Sequence, residues 1–381
     1  MIFERTTAHI DIVMPLMPLR ERIRQFTPSW FAATMGTGIL ALILPQIPGL
    51  GHALRPVGEA LWLLNIGLFT LFLTLYTARW ILFGHEARRI FSHDVASMFI
   101  GTIPMGLATI INGILAFGQP RWGAGVVPIA QALWWVDVAM SLGCGVLIPF
   151  FMFTRQEHAL DRMTAVWLLP VVAAEVAAAS GGLLAPHLLG ARAQFLTLVV
   201  SFALWAYSVP VAFSILTLLI LRMVLHKLPH ESMAASSWLA LGPIGTGSFA
   251  MLVLGANSPA IFAARHLSSI GQATLSIGTI IGMLLWGFGL WWLLLATLIT
   301  IRYFRAGVPF NLGWWGYTFP LGVYTVATLK LATILALSFF TVPGTAEAMA
   351  LAAIWVCVAW RTVHGGWMGH LFFSPCIAKT N

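Results

Sequence analysis

Charge is what this chain has least of. Asp, Glu, Lys and Arg make up 8% of its 381 residues, against about 25% in soluble domains, whose surfaces must face water. With 59% hydrophobic residues and a mean hydropathy of +0.90, the surface must face lipid. Acidic residues are scarcest, 12 against 20 basic ones. The net charge of +8 therefore reflects missing carboxylates, and the basic residues sit singly between apolar runs. That spacing excludes the basic stripe of a nucleic-acid-binding protein. The three cysteines, Cys144, Cys357 and Cys376, form no CxxC pair, so neither a zinc site nor a redox motif is indicated. HExxH, GxSxG and Walker-type loops are missing too. All eleven histidines fall in tails, in loops or toward the ends of apolar runs, away from where an intramembrane haem would need axial ligands. An enzyme, a metal centre and a bound cofactor are all disfavoured.

What is present is a series of apolar stretches: Ser29–Gln46, Pro56–Phe83, Val95–Phe117, Val126–Phe153, Met163–Leu184, Gln194–Arg222, Ser237–Asn257, Ile270–Ile301, Gly313–Thr341 and Glu347–Phe373. Each is near or above the ~20 residues that cross ~30 Å of hydrocarbon. Helices satisfy their backbone groups internally, as lipid demands, and the short alternating segments of a β-barrel are missing. The expected fold is an all-α integral membrane protein of about ten transmembrane helices. Residues 1–28 read as a cytoplasmic or interfacial segment, 29–373 as one transport domain and 374–381 as a tail. Lys and Arg number fourteen on the side of the termini and four opposite, which predicts both termini cytoplasmic. Ile10–Phe26 mixes apolar residues with Arg, as an interfacial helix does, although a disordered tail fits equally.

Proline and glycine are not spread evenly. The odd spans carry Gly36-Thr37-Gly38, Pro104-Met105-Gly106, Pro170 with Gly181-Gly182, Gly242-Pro243-Ile244-Gly245-Thr246-Gly247, and Phe319-Pro320-Leu321-Gly322. Among the even spans only the sixth has a central proline, Pro210. Proline removes a helical hydrogen bond and bends the axis, and glycine lets helices approach closely. Any one motif fits ordinary kinked packing. Five alternate spans sharing the pattern predict five helical hairpins whose odd members, kinked, line a central path.

Ionisable groups inside a bilayer are functional candidates. Lys330 lies eleven residues after Phe319, about three turns, so the two share a face of span 9 some ~16 Å apart, with Val326 on the same stripe. A cation on that wall would favour anions; the alternatives are pairing with a carboxylate or snorkelling to the interface. Glu175 shares a face of span 5 with Leu168, Val171, Ala178 and Gly182. A buried carboxylate can hold a proton near neutrality, so Glu175 would either couple transport to protons or hydrogen-bond to Lys330 or a hydroxyl. Asp137 and Arg361, on even spans, fit helix–helix pairing.

The segments Ser29-Trp30-Phe31-Ala32-Ala33-Thr34-Met35-Gly36-Thr37-Gly38-Ile39 and Trp314-Trp315-Gly316-Tyr317-Thr318-Phe319-Pro320-Leu321-Gly322 make the chain recognisable. It resembles the tellurite-resistance/dicarboxylate transporter family, which includes plant slow anion channels and fungal malate and sulfite transporters. The resemblance runs from about Ser29 to Phe373. It implies five hairpins with quasi-fivefold symmetry, odd helices around a pore, commonly a homotrimer with one pore per protomer, and a phenylalanine of the ninth helix plugging the pore, the position that Phe319 matches. An apolar ring in a narrow path excludes water and hydrated ions.

The expected function is passage of small anions, C4-dicarboxylates such as malate or tellurite- and sulfite-type oxyanions, through a pore gated by Phe319. Pore-lining positions would be Lys330, Val326, Gly36, Thr37, Gly38, Pro104, Pro170, Pro243, Thr246 and Pro320, in a bacterial inner membrane. A proton-coupled dicarboxylate carrier using Glu175 is the alternative within transport, and a cofactor-bearing membrane enzyme the alternative outside it.

Overall fold

The computed structural model describes residues 17–377. Among them ten helices are long and apolar enough to cross a membrane: Pro28–Gln46, Gly51–Leu82, Ala96–Trp122, Ala124–Thr154, Ala165–His187, Ala191–His226, Glu231–Ala263, Ser268–Ala306, Leu312–Leu335 and Ser338–Trp367. They are called spans 1 to 10.

The odd and even spans are similarly apolar but differently buried. In the odd spans 72% to 94% of the most apolar stretch is buried inside the protein, and in the even spans 22% to 33%. Two concentric rings result. Span 1 packs on span 3, span 3 on span 5, span 5 on span 7, span 7 on span 9 and span 9 back on span 1, which closes the inner ring. Each even span covers the groove between its hairpin partner and the next odd span: span 2 lies over spans 1 and 3, span 6 over 5 and 7, span 10 over 9 and 1. Outward-facing Leu63, Val146, Leu218, Leu284 and Val356 form a belt suited to acyl chains.

Polar side chains join the rings where lipid could not satisfy them. Trp134 Nε1 of span 4 donates to the Ala177 carbonyl of span 5 at 2.9 Å, and Ser248 Oγ of span 7 donates to the Gly282 carbonyl of span 8 at 2.7 Å. Trp286 Nε1 of span 8 donates to Thr328 Oγ1 of span 9 at 2.8 Å. The inner ring itself is tight. A Cβ on Gly245 of span 7 would lie 2.7 Å from the Tyr324 backbone nitrogen of span 9, closer than any side chain can come.

The proline motifs shape the odd spans, though not as mid-helix kinks. Each inner span enters through 3₁₀ turns, such as Pro28–Phe31, Ala96–Gly101, Ala165–Leu168 and Leu312–Tyr317. Pro104, Pro170, Pro243 and Pro320 then fall within the first three residues of the α-segments Thr102–Gly113, Leu169–Leu184, Leu241–Ala263 and Phe319–Leu335. The first turn has N–H groups without intrahelical partners, so proline sacrifices little there.

Two boundaries differ from the sequence reading. Span 9 ends at Leu335, capped by Ala336 in the left-handed region at φ 53°, and Val342-Pro343-Gly344, between the two apolar stretches of the sequence, lies inside span 10. Glu347, expected at the start of span 10, consequently sits three turns into it, beside Thr325 and Thr328 of span 9. Of the segment Ile10–Phe26, residues up to 16 lie outside the described ones, and Leu19–Gln25 forms a short helix. Arg24 from that helix pairs with Glu86 at 2.7 Å, which holds the Glu86 carboxyl below the usual carboxylate range.

Candidate functional site

Two cavities lie within the inner ring. The one on the side of the described termini, the near cavity, has a volume of about 630 Å³ and is walled by Ala32 and Met35 of span 1, Thr102 of span 3, Val166 and Leu169 of span 5, Ser236 and Leu239 of span 7 and Trp315 of span 9. His370, Leu371, Phe373 and Pro375, beyond span 10, close part of it. The opposite, far cavity has about 450 Å³ and is walled by Ile39 and Leu42, Thr109 and Asn112, Val176 and Ala179, Thr246 and Val253, and Val323, Val326 and Lys330 of the same five spans. Phe319 lines both, the one described residue to do so. It is 3% exposed.

Between the cavities runs a septum. Near-cavity lining stops at Met35, Thr102, Leu169 and Leu239, and far-cavity lining resumes at Ile39, Thr109, Val176 and Thr246. Four to seven residues at 1.5 Å each make it ~6–10 Å thick. The Gly36, Pro104, Pro170 and Pro243 motifs all fall inside these intervals, and Phe319-Pro320 at the same depth. The motifs thus mark one level in all five inner spans, at the start of the α-segments of spans 3, 5, 7 and 9 and in the second turn of that of span 1.

Among the expected lining residues, the structure brings Phe319, Val326, Lys330 and Thr246 together on the far cavity, and Pro320 on the near one. Gly36, Thr37, Gly38, Pro104, Pro170 and Pro243 are not on either wall. A Cβ on Gly36 would meet Thr318 Oγ1 at 2.3 Å and one on Gly38 would meet Thr109 Oγ1 at 2.0 Å, so these glycines serve the contacts of span 1 with spans 9 and 3. Thr37 Oγ1 accepts from Trp355 Nε1 of span 10 at 3.0 Å. The sequence pattern puts these small residues on an open path; in the structure Gly36 and Gly38 face neighbouring helices instead, because close packing is what shapes the path.

Glu175 is fully buried but off both cavities, beside Ser208 of span 6. The Ser208 hydroxyl donates to the Val171 carbonyl at 2.8 Å, so both Glu175 oxygens lack a hydrogen-bond partner among the described residues. The expected hydrogen bond from Lys330 is not made. Asp137, expected to pair, is likewise buried with neither oxygen bonded, and Arg361 stacks over Trp314 at 5.1 Å.

The far cavity holds residues that sequence reading passed over. Arg55, counted as a loop cation, reaches back from the start of span 2, donates to the Ala116 carbonyl at 2.7 Å and lies over the Phe117 ring at 5.6 Å. Its neighbours on the wall include His187 from the end of span 5. Lys330 forms no ion pair among the described residues. Two basic side chains, Arg55 and Lys330, then, line this cavity and no described carboxylate does. The near cavity is lined by His93 and His370 and by no described Lys, Arg, Asp or Glu.

Ten spans in two rings, two aqueous-sized cavities on one axis and a cation-rich wall free of carboxylates define a membrane protein built around a path for anions. The comparisons agree and narrow the class: residues 25–363 match the family described as voltage-dependent anion channel, and the chain belongs to that family. It is 37% identical over 352 residues to the sulfite efflux pump SSU1 of Trichophyton rubrum, covering 92% of this chain and 93% of that one. It is 30% identical to an uncharacterized transporter of Methanocaldococcus jannaschii, covering 92% and 96%. It is 24% identical to the malic acid transport protein of Schizosaccharomyces pombe, covering 93% and 81%.

Proposed function

We propose that the protein moves small oxyanions along the axis of the inner ring, with Phe319 as the gate. Anion transport follows from the family. Sulfite ranks ahead of C4-dicarboxylates as the substrate, because the similarity to the sulfite efflux pump is greater than that to the malic acid transport protein. One observation supports the gate: Phe319 is the one described residue that lines both cavities. An apolar ring at the thinnest point of a path blocks it by excluding water. Lys330 and Arg55 supply positive potential on the far side, where a low dielectric makes a charge felt further than in water.

Both termini are placed in the cytoplasm on the Lys and Arg asymmetry, in a cell's limiting membrane. The largely apolar outer ring is compatible with a homotrimer with one path per protomer, as the resemblance implies. Transport without a catalytic step accounts for the site.

The test is flux of sulfite and malate into proteoliposomes containing the wild type or Phe319→Ala. Removing the ring should raise sulfite flux by about tenfold or more, the equivalent of ~1.4 kcal/mol off the barrier. Unchanged flux from a monodisperse, folded variant would refute the gate.

A further inference from the structure

The far cavity contains more than a diffuse positive potential: its polar groups are arranged as donors. Thr246, 2% exposed, lines the cavity, and its buried Oγ1 has no hydrogen-bond partner among the described residues. Asn112, one turn beyond Thr109 on span 3, buries an unpartnered Oδ1. Its amide nitrogen, engaged in no hydrogen bond either, is left for the cavity that Asn112 lines. Lys330 has no ion-pair partner among the described residues, and Arg55 commits one Nη2 hydrogen to Ala116 while its other N–H groups have no partner among them. Unpartnered buried polar groups cost ~1–3 kcal/mol each, so their convergence in one cavity calls for a ligand that satisfies them. A halide is a single acceptor centre. Four separated donors, two of them cationic, match an anion with several oxygens spread over its surface.

We infer that the far cavity, behind Phe319, is a saturable binding site for a multiply oxygenated anion of the sulfite class, formed by Lys330, Arg55, Asn112 and Thr246. The inference rests on the reading of this path as an anion route and adds to it a resting site separate from the gate. Transport then has two independent settings. Occupancy of the far cavity fixes the concentration at half-maximal rate, and the Phe319 ring fixes the maximal rate.

The experiment is equilibrium binding of sulfite to the purified full-length protein in nanodiscs, read by intrinsic tryptophan fluorescence or calorimetry, with chloride as competitor. Wild type should bind sulfite saturably and chloride at least about tenfold more weakly. Lys330→Gln should weaken sulfite binding about tenfold, or ~1.4 kcal/mol, and Asn112→Leu and Thr246→Val about three- to tenfold each. Lys330→Arg should bind within about threefold of wild type, which separates lost charge from lost folding. In flux assays Lys330→Gln should raise the half-saturating concentration more than it lowers the maximal rate. Non-saturable binding, chloride competing as strongly as sulfite, or full affinity in Lys330→Gln and Asn112→Leu would overturn the site. Flux that rises in Phe319→Ala without saturable binding would leave the gate standing and remove the site. Saturable binding with no rise of flux in Phe319→Ala would do the reverse.

Discussion

The near and far cavities are built from the same five helices and separated by about two helical turns, yet they differ in chemistry. The near one is larger and lined by His93, His370, Ser29, Ser232 and Asn311. The far one is smaller and carries Arg55, Lys330 and His187. The difference follows the direction of the inner spans. All five begin on the near side, so the partial positive ends of their α-segments, from Ala32, Thr102, Leu169, Leu241 and Phe319, face the near cavity. The carbonyl ends lie on the far side, where an anion would otherwise meet partial negative charge. Arg55 and Lys330 occur on the wall where the backbone is unfavourable to an anion, and Ser, Asn and His line the wall where it is favourable.

The comparison can be broken in several ways beyond removing Phe319. The largest effect is expected from the septum itself: Gly245→Val places a branched side chain where a Cβ already meets Tyr324 backbone atoms at 2.7 and 2.9 Å. Overpacking against backbone, which cannot rotate away, should cost upwards of ~3 kcal/mol and abolish folded, monodisperse protein by size-exclusion chromatography. Next, neutralising the far wall with Arg55→Gln and Lys330→Gln together should move the reversal potential in a salt gradient from anion-selective toward non-selective, with anion preference down by about tenfold. If selectivity persists, the asymmetry between the cavities does not govern permeation. A smaller effect is expected from Glu175→Gln. Because Glu175 touches neither wall, sulfite flux should keep its wild-type response to an imposed pH gradient; loss of that response would restore the proton-coupled reading. The least change is expected at the rim. Arg24 holds the Glu86 carboxyl below its ordinary 4.5, so the pair stabilises the fold above that pH and its contribution fades as pH falls through the depressed value. The pair is partly exposed, and Glu86→Gln should shift stability at neutral pH by less than about 1 kcal/mol, as thermal unfolding in detergent would show.

Much of this was readable in the residues. Ten runs of sufficient length could become little other than helices in lipid, and the restriction of Pro–Gly motifs to odd spans separated the inner ring from the outer before any packing was known. The helical stripe from Phe319 through Val326 to Lys330 survived because span 9 is an uninterrupted α-helix over Phe319–Leu335. Facing was harder. Gly36 and Gly38 signal close approach, but sequence alone does not say whether a helix or a lumen is approached. Arg55 and His187 looked like ordinary loop residues, because a side chain at a span end can point to water or fold back into the ring, and only tertiary packing decides. The same limit hid Glu347: the sequence starts an apolar stretch at that residue, while the helix of span 10 already begins at Ser338.

The septum has a consequence for how the path can open. Five spans contribute backbone to it, but the one described residue that lines both cavities comes from one, at the first residue of one α-segment, next to Pro320. Closure by five equivalent side chains would call for the whole assembly to widen. On the gate proposed above, closure by one aromatic ring would set the task at a single χ1 rotation, a motion of a few ångströms that leaves the helix axes where they stand, and would allow the ten spans to be as rigid as their packing suggests.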